Sequence, residues 1–340
     1  MKSRIIYIKT NSHDAAFHFA VEEYCMRHFS NDVTILMLWQ TDPCAMLGAY
    51  QIADAEIDLA LAEEKNIQIV RRSSGGGTIF TDRGTILFTV ITPFKETDDA
   101  KQIQRELVAG PVIKALIDMG IPVKLEGRND ILLEGRKISG LAQRLSGDRL
   151  CSHGSILYDA DLEMLGKLLT PDQGKIESHA LHSNRSRVTN IIDCMEPKLT
   201  TEDFLLTLKR KLFEVDNIEE YTMSQSELDQ IENIRREKYT NPSWIYGKNP
   251  RFTYHNEKRF PAGKLEAYVN VEKGIIASCH LYGDFLGVLP LRELEEKLET
   301  KPYQFNEVSE ILRAIDLTKY TNGISVNQML ECLFGREREN

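Results

Sequence analysis

Three consecutive glycines follow two arginines and two serines in the segment RRSSGGGT, residues 71–78. Glycine lets the backbone approach a ligand closely and adopt positive φ, and successive N–H groups in such a turn can bind an anion. Arginine supplies forked donors that suit phosphate. The glycines alone are equally typical of a flexible turn, but the added arginines, serines and strand-like flanks favour an anion-binding loop. The segment has neither the Walker A pattern nor a following helix.

A second segment places one lysine among small and polar residues, in GRND at 127–130 and EGRKISG at 134–140. Lys137, beside Ser139 and near the end of a predicted strand, could offset charge that develops on a phosphoryl or carboxyl oxygen. Asn129 and Asp130 offer oxygens for Mg²⁺ or a ribose. A surface hairpin with an exposed lysine is the alternative, since most lysines are exposed.

A third segment, HGSIL at 153–157, places a histidine on a predicted strand. We expect His153 to line a site rather than to act as a catalyst. Cys151, two positions earlier, could be a nucleophile. The sequence identifies no base to activate it, so an inert thiol is the favoured interpretation.

Hydrophobic periodicity predicts the elements that position these segments. Helices are predicted at 12–29 (with Ser12 as N-cap), 56–65, 98–119, 161–169, 201–214, 224–238, 291–298, 306–314 and 326–334. Strands are predicted at 34–39, 68–70, 78–81, 85–91, 150–157, 265–271 and 275–282, with a hairpin at 131–138 turning on Glu134-Gly135. Gly110-Pro111 should break or kink the helix that contains it.

The Pro-, Gly- and Asn-rich stretch NPSWIYGKNP, residues 241–250, marks a domain boundary. We therefore predict an α+β catalytic domain at 1–247, with a mixed β-sheet and flanking helices, and a small α+β domain at 252–340. The linker could serve as a hinge between them.

Composition narrows the class of protein. The 340 residues are 42% hydrophobic and 27% charged, with a net charge of −9, as in an ordinary globular chain. There is no long basic stripe for nucleic acid and no apolar run of the ~20 residues that span a bilayer. With no secretion signal at its start, the chain is expected to be cytoplasmic. The scattered cysteines, and His179 and His182 with Cys194, are a poor metal signal.

Several segments together resemble the lipoate–protein ligase A family of the biotin/lipoate ligase superfamily. They are, in order, RRSSGGGTIFTD, GRNDILLEGRKISGLAQR, HGSILYDADLEML, RSRVTNIID and the tail WIYGKNPRF…RFPAGKLEAYVNVEKGII. Each piece is weak alone, but their combination is specific, and the resemblance covers nearly the whole chain.

The resemblance implies a fold shared with biotin ligases and a reaction in two steps. Lipoate would attack the α-phosphate of Mg-ATP to give lipoyl-AMP and pyrophosphate. A lysine of an apo lipoyl domain, from the E2 subunit of a 2-oxoacid dehydrogenase, or of the glycine-cleavage H protein would then accept the lipoyl group.

The resemblance also implies a set of site residues. Lys137 would be catalytic and contact both the nucleotide phosphate and the lipoate carboxylate, and Asp130 would hold the metal. The nucleotide and lipoyl-AMP would be bound by Lys137 together with Arg72, Ser74, Gly75, Gly76, Gly77, Thr78, Ile79, Phe80, Asn129, Asp130, Ser139, Gly140, Ala142 and His153. We expect an apolar slot for the acyl chain among Leu47, Ile79, Phe80 and Phe88.

The chain departs from the family pattern at three positions. Thr81 stands where the family often has His, Ile52 follows Gln51 where Asn is usual, and Thr85 replaces the Asn of a Gly-Asn pair. These departures leave open the choice between lipoate and octanoate, the preferred acceptor, and whether the chain is a specialised paralogue. The oligomeric state is also open.

Two alternatives come from other classes of protein. An ATP-independent octanoyl or lipoyl acyltransferase would need a nucleophilic cysteine near 127–130, where none stands. A non-catalytic module that binds an adenylate or a lipoylated protein would not need Lys137 at the reacting carboxylate.

Overall fold

The computed structural model of the protein describes residues 4–127, 129–169, 188–214, 218–246 and 253–335. Its strands are β1 (Arg4–Ile8), β2 (Val33–Trp39), β3 (Cys44–Leu47), β4 (Gln68–Arg71), β5 (Ile79–Thr81), β6 (Thr85–Pro93), β7 (Val123–Glu126), β8 (Asp130–Leu133), β9 (Arg136–Ser146), β10 (Arg149–Leu157), β11 (Ile218–Tyr221), β12 (Tyr254–Phe260), β13 (Gly263–Glu272) and β14 (Ile275–Gly283).

The α-helices are α1 (Ala15–His28), α2 (Ala53–Glu56), α3 (Leu59–Glu64), α4 (Ala100–Ile103), α5 (Gly110–Asp118), α6 (Leu162–Leu168), α7 (Thr201–Phe213), α8 (Gln225–Ile234), α9 (Pro242–Ile245), α10 (Leu291–Leu298), α11 (Phe305–Arg313), α12 (Thr318–Thr321) and α13 (Val326–Phe334). Two π-helical segments, Gln104–Ala109 and Arg235–Tyr239, and a 3₁₀ turn, Ile191–Cys194, complete the described elements.

The largest sheet has eight strands in the order β11-β1-β2-β6-β10-β9-β8-β7. It is mixed, because β1 pairs in parallel with β2 and β11 whereas β2 pairs antiparallel with β6. Side chains alternate between its faces. Ile6 and Ile8 join the core beneath α1, and Tyr7 joins the core beneath α5 and α7. Helices therefore cover both faces, which confirms the predicted α+β class.

Helix α1 begins two residues later than expected. Asp14, not Ser12, is its N-cap, and the Asp14 carboxylate accepts from the backbone N–H of Ala16 at 2.9 Å. The Ser12 hydroxyl accepts instead from the Asp14 N–H at 3.1 Å. Both residues satisfy N–H groups that the helix itself leaves free.

The helix does not break at Gly110-Pro111, and the kink expected as the other outcome stays a prediction. The helical path continues from α4 through the π-helical segment into α5. Pro111 lies in the first turn of α5. The π-helical segment before it changes the hydrogen-bond pattern at this point, since the Gly110 N–H donates to the Arg105 carbonyl, five residues earlier.

The hairpin between β8 and β9 turns as predicted. Glu134 and Gly135 have φ values of 51° and 77°, as a two-residue type I′ turn requires. Strand β9 runs on to Ser146, so Lys137 lies near the start of a long strand rather than near the end of a short one. The composition did not reveal β1, the four-residue strands β3, β7 and β11, or strand β12.

The C-terminal sheet has the order β12-β13-β14. With the helices from α10 onward, it encloses an apolar core that includes Leu265, Phe285, Leu294 and Leu312. The predicted division at 247 and 252 stays a prediction. Residues 247–250 of the proposed linker lie outside the described residues, as do His179 and His182.

Candidate active site

The glycine loop connects β4 to β5, and the two strands flank β3 in a small sheet of their own. It packs against the loop after β3, where Ala49 N–H donates to Ser74 C=O at 2.9 Å. A Cβ on Gly48 would stand 2.0 Å from the Gly76 oxygen. Gly76 itself has a φ of 91°. Both positions therefore require glycine, one for close approach and one for its backbone conformation.

Arg72 lies buried beneath this loop, and each of its three nitrogens already donates to the protein. Nε donates to Ser74 Oγ at 3.1 Å, Nη1 to the Met46 carbonyl at 2.9 Å, and Nη2 to the Gly75 and Gly77 carbonyls, both at 2.8 Å. Burial, with a smaller contribution from Arg71, lowers the pKa of Arg72 to about 10. In this conformation Arg72 holds the loop in shape at the border of the cleft.

Arg71 does not join the site, which corrects the expectation that both arginines supply charge to a ligand. Its Nε donates to the Trp244 and Ile245 carbonyls at 3.0 and 2.8 Å, and its Nη1 donates to the Gly48 and Gln51 carbonyls at 2.8 and 2.6 Å. Consecutive residues of an extended chain point to opposite sides. Arg71 therefore binds the C-terminal end of α9 and the loop after β3 instead.

Lys137 faces the cleft from β9. Its Nζ lies 2.8 Å from Asp130 Oδ1, and both side chains are more than a third exposed. The pairing of β8 with β9 shifts register between Ile131 and Leu132, which leaves Ile138 as an extra residue of β9. A Cβ on Gly140 would come within 3.1 Å of Lys137 Nζ. The glycine thus leaves the lysine room to lie across the strand.

Asn129 and Asp130 border the same end of β8. Asn129 Nδ2 donates to the Leu141 carbonyl at 3.0 Å, and Leu141 N–H donates to the Asn129 carbonyl at 2.9 Å. This pair of bonds ties Asn129 to β9. The result is a small polar group, Asn129, Asp130 and Lys137, at one end of the cleft.

A chain of polar contacts reaches the cleft at His153. Ser74 Oγ is 2.6 Å from His153 Nε2, and His153 Nδ1 is 3.2 Å from Glu22 Oε1. Because Ser74 Oγ accepts from Arg72, its own proton points to His153 Nε2 when the ring is neutral. The ring proton then lies on Nδ1 and is donated to Glu22. Cys151 is near Glu22 and His153, but burial raises the pKa of its thiol well above the ordinary value.

Glu22 is a buried carboxylate that nevertheless stays ionised. Burial opposes its charge, but the attraction of His153 and the hydrogen bonds from His153 and Thr89 outweigh this and hold its pKa below the ordinary value. Thr89 Oγ1 donates to Glu22 at 2.6 Å and accepts from Trp39 Nε1 at 3.1 Å. The indole and the imidazole are thereby held in one orientation along the cleft wall.

The cleft between these groups has a volume of about 750 Å³, which includes the solvent at its open mouth. The polar residues that line it include Lys137, Asn129, Thr78 and His153. The other part of the lining is apolar, formed by Phe19, Trp39, Met46, Ile79, Leu87, Leu141, Leu286 and the methyl of Ala142. The cleft can therefore hold a molecule with an anionic end and an apolar chain.

The structure brings most of the sequence-predicted site residues to this cleft. Those that line it are Arg72, Gly76, Gly77, Thr78, Ile79, Asn129, Lys137, Gly140, Ala142 and His153. Asp130 and Ser74 reach it through their contacts with Lys137 and His153. Gly75 lies in the loop with its α-carbon against Phe285. These placements leave the role of each residue a prediction.

Some predicted residues lie elsewhere. Leu47 and Phe80 are buried in a separate core below β3 and β5, and Phe88 in the core beneath α5. Of the four residues expected to form the acyl slot, only Ile79 lines the cleft. Ser139 is buried, and the register pairs it with Ile131, a residue of the core beneath α5. The bulge at Ile138 turns Ser139 away from the face that carries Lys137.

Sequence reasoning missed Leu286, which lines the cleft, and Glu22, which contacts the lining residue His153. Glu22, near the cleft in α1, is three positions after the apolar Phe19 and therefore lies on the buried stripe of the helix. A carboxylate on such a stripe needs a partner, which is a signal that could have been used. Leu286, in the segment before α10, gives no such signal. The departures Thr81, Thr85 and Ile52 are not among the residues that line the cleft.

Comparison with known proteins gives matches over most of the chain. Residues 14–213 match the family described as the lipoyl protein ligase A/B catalytic domain, and residues 249–333 match the bacterial lipoate protein ligase C-terminus. The chain is 35% identical over 327 residues to the lipoate-protein ligase LplJ of Bacillus subtilis, covering 95% of this chain and 98% of that protein.

Solved structures show the same fold. P. falciparum LipL1 in complex with lipoate has a TM-score of 0.76 at 23% identity, covering 92% of this chain and 95% of that one. A bipartite lipoate protein ligase from Thermoplasma acidophilum, solved with its E2 lipoyl domain, has a TM-score of 0.64 at 24% identity, covering 75% and 100%. A lipoate-protein ligase A bound with ATP has a TM-score of 0.61 at 24% sequence identity. The match covers 73% of this chain and 99% of that one.

Among the described helices, none is both long and apolar enough to cross a membrane.

Proposed function

This chain belongs to the lipoate–protein ligase family, and we propose from that premise that it activates lipoate with ATP and transfers the lipoyl group to a lysine of an acceptor protein. It is an enzyme of that family. The observation that carries the proposal is Lys137, which lines a cleft whose lining is otherwise mainly apolar. A carboxylate with a long apolar chain matches both parts.

The first step joins two anions. A carboxylate oxygen of lipoate attacks the α-phosphorus of ATP, the bond to the bridging oxygen breaks, and pyrophosphate leaves with its electron pair. Lys137 offsets the charge on both oxygens and aligns them. Its ammonium must leave Asp130 at least in part to do so, and the long side chain over Gly140 allows this.

The second step forms an amide. The neutral ε-amine of the acceptor lysine attacks the carbonyl carbon of lipoyl-AMP, AMP leaves, and the amine loses a proton. Water would hydrolyse the same mixed anhydride, so the site has to exclude it. The apolar lining, which includes Phe19, Trp39 and Leu141, supports such exclusion.

The donor set at the polar end fits Mg²⁺. Mg²⁺ is bound in proteins by one or two carboxylates together with substrate phosphates, and Asp130 supplies a carboxylate whose neighbour Asn129 carries an amide oxygen. Asp130, with Asn129, would hold the ion. When bound, the ion would neutralise charge on the phosphates.

The acceptor we propose is an apo lipoyl domain of a 2-oxoacid dehydrogenase E2 subunit or the glycine-cleavage H protein. Support comes from the T. acidophilum structure, in which a ligase of this fold was solved with its E2 lipoyl domain. Lipoate and ATP as substrates are supported in the same way by the lipoate-bound and ATP-bound structures.

The substitution Lys137→Ala tests the proposal. We expect pyrophosphate release from lipoate and ATP to fall about 10²–10³-fold, the usual effect of losing one preorganised electrostatic contact. Lys124→Ala is the matched control, because Lys124 lies in β7, two strands from Lys137, and pairs with Glu126 on the exposed surface. Unchanged pyrophosphate release by Lys137→Ala, with the control equally active, would remove Lys137 from the mechanism.

An acceptor assay distinguishes the ligase from the acyltransferase and from the non-catalytic binding module. The protein is incubated with lipoate and an apo lipoyl domain or apo H protein, with and without Mg-ATP, and the acceptor mass is followed. A lipoyl gain only with ATP supports the ligase. A gain from octanoyl carrier protein without ATP would support the acyltransferase instead, and no gain with any donor would favour the binding module.

A further inference from the structure

The cleft has one wall from the C-terminal part of the chain. The segment 283–289, here called the strap, runs from the end of β14 towards α10 and carries Leu286. Leu286 lines the cleft, and the other residues that line it come from between Phe19 and Ser155. A residue from the far side of the proposed linker thus borders the same volume as Lys137.

Backbone contacts hold the strap on both sides of Leu286. Gly76 N–H donates to the Phe285 carbonyl at 3.1 Å, and Leu145 N–H donates to the Val288 carbonyl at 2.7 Å. These bonds depend on the main chain and not on the Leu286 side chain. The side chain can therefore be changed without removing the anchors of the strap.

The wall around Leu286 offers mainly apolar contact. A Cβ on Gly76 would stand 3.0 Å from Leu286 Cδ2 and 3.1 Å from Arg72 Nη2. Arg72 Nη2 already donates to Gly75 and Gly77, and the Gly76 N–H already donates to Phe285. A phosphate would have to break these bonds to use either nitrogen, whereas a hydrocarbon chain needs no donor.

We propose that Leu286 is a specificity-determining residue of the cleft, in contact with the apolar chain of the carboxylic acid that is activated. The proposal rests on the acid-activating function proposed above. The chain length accepted would then be set in part by a residue of the C-terminal unit, and not by the catalytic sheet alone.

The size of the expected effect follows from the apolar surface that Leu286 offers to the acid. Truncating Leu286 to Ala removes several carbon atoms from one wall, and one methylene in an apolar pocket is worth roughly 10–200-fold in specificity. The kcat/KM for a short acid that does not reach the wall should not change. The kcat/KM for a long acid that reaches the wall should fall.

The experiment measures pyrophosphate exchange with butanoate, hexanoate, octanoate, decanoate and lipoate for wild type, Leu286→Ala and Leu286→Trp. Leu289→Ala is the matched control, since Leu289 lies on the same strap but packs against the C-terminal core. The KM for ATP and the melting temperature are measured for each protein.

We expect Leu286→Ala to lower kcat/KM for octanoate and lipoate about 10-fold or more relative to butanoate. Leu286→Trp should shift the preference to shorter acids, and the KM for ATP and the chain-length profile of Leu289→Ala should match wild type. An unchanged profile in both Leu286 variants, or a rise confined to the KM for ATP, would overturn the proposal. A wild type that exchanges pyrophosphate with none of these acids would overturn the proposed function itself.

Discussion

Two adjacent carboxylates of α1 differ in their partners. Glu22 is held by a histidine and a threonine beside the cleft. Glu23 accepts from Arg144 and Lys238 at 3.0 and 3.1 Å, and it also pairs with Arg27. Successive residues of a helix point about 100° apart. Glu22 therefore reaches β6 and β10, while Glu23 reaches β9 and the π-helical segment at 235–239.

Glu23 also connects the glycine loop to that π-helical segment. Tyr239 OH donates to Glu23 Oε2 at 3.0 Å and lies 2.9 Å from Ser73 Oγ. Burial opposes ionisation of Glu23, but Arg144, Lys238 and Arg27 outweigh it and lower its pKa to about 2. One ionised carboxylate thus joins β9, the 235–239 segment and the loop.

Glu23 should contribute to the pH dependence of the free energy of unfolding. A carboxyl group whose pKa is lower in the folded state stabilises the fold above its unfolded pKa, and that contribution is lost as pH falls towards the folded pKa. Stability should therefore fall from about pH 4.5 to about pH 2. Glu23→Gln should be less stable at pH 7 and should show a shallower fall over this window in denaturant melts.

Glu126→Gln provides the comparison for this measurement. Glu126 is more than half exposed in its pair with Lys124, and exposed pairs contribute little. If Glu23→Gln and wild type lost stability in parallel through this window, Glu23 would not be the group responsible.

At the scale of elements, the junction of β14 with α10 buries a carboxyl group. Glu295 of α10 accepts from the Leu281 N–H of β14 at 2.8 Å. Burial raises its pKa to about 7, although the Leu281 hydrogen bond and Arg292 act in the opposite direction. The helix is therefore docked on the strand through a group that prefers to be neutral.

The C-terminal unit should gain stability when Glu295 is replaced by Gln. A carboxyl group whose folded pKa is raised stabilises the fold below its unfolded pKa of about 4.5, and that contribution is lost as pH rises through about 7. Gln keeps the acceptor oxygen and stays neutral. Thermal melts at pH 8 should thus show Glu295→Gln above wild type, with a smaller difference at pH 5.

Glu296→Gln is the control for the helix itself. Glu296 is the next residue of α10 and is exposed in its pair with Arg292. Should Glu295→Gln be less stable than wild type at pH 8, the backbone hydrogen bond would depend on the charge and the argument from burial would fail.

At the scale of the whole molecule, the strap and the glycine loop share one donor. The Gly76 N–H that donates to the Phe285 carbonyl belongs to the loop predicted to bind phosphate. A phosphate that used this N–H would have to displace the strap. Binding at the loop and docking of the strap therefore compete for the same group.

Formation of the adenylate should consequently move the C-terminal unit relative to the catalytic sheet. We expect the small-angle scattering profile of the protein to change on addition of lipoate and Mg-ATP together. Superimposable profiles of wild type with and without the substrates would count against the motion.

The sequence by itself determined the local structure around the site. The type I′ turn at Glu134-Gly135 depends on two residues that tolerate positive φ, and it formed where predicted. The glycine loop depends likewise on Gly76 and its neighbours. The order of motifs was enough to identify the family. These are properties of neighbouring residues or of their order, and they need no knowledge of distant contacts.

The tertiary structure alone decided which side chains meet in the cleft. Arg72 borders the cleft but Arg71 does not, because the two side chains point to opposite sides of the chain that leaves β4. Ser139 lies on the other face of β9 from Lys137, because β9 has one extra residue between them. Glu22 contacts the lining residue His153 and Leu286 lines the cleft, although the two are far apart in the chain. Such contacts depend on the order and register of strands and on the docking of whole elements, which local patterning does not specify.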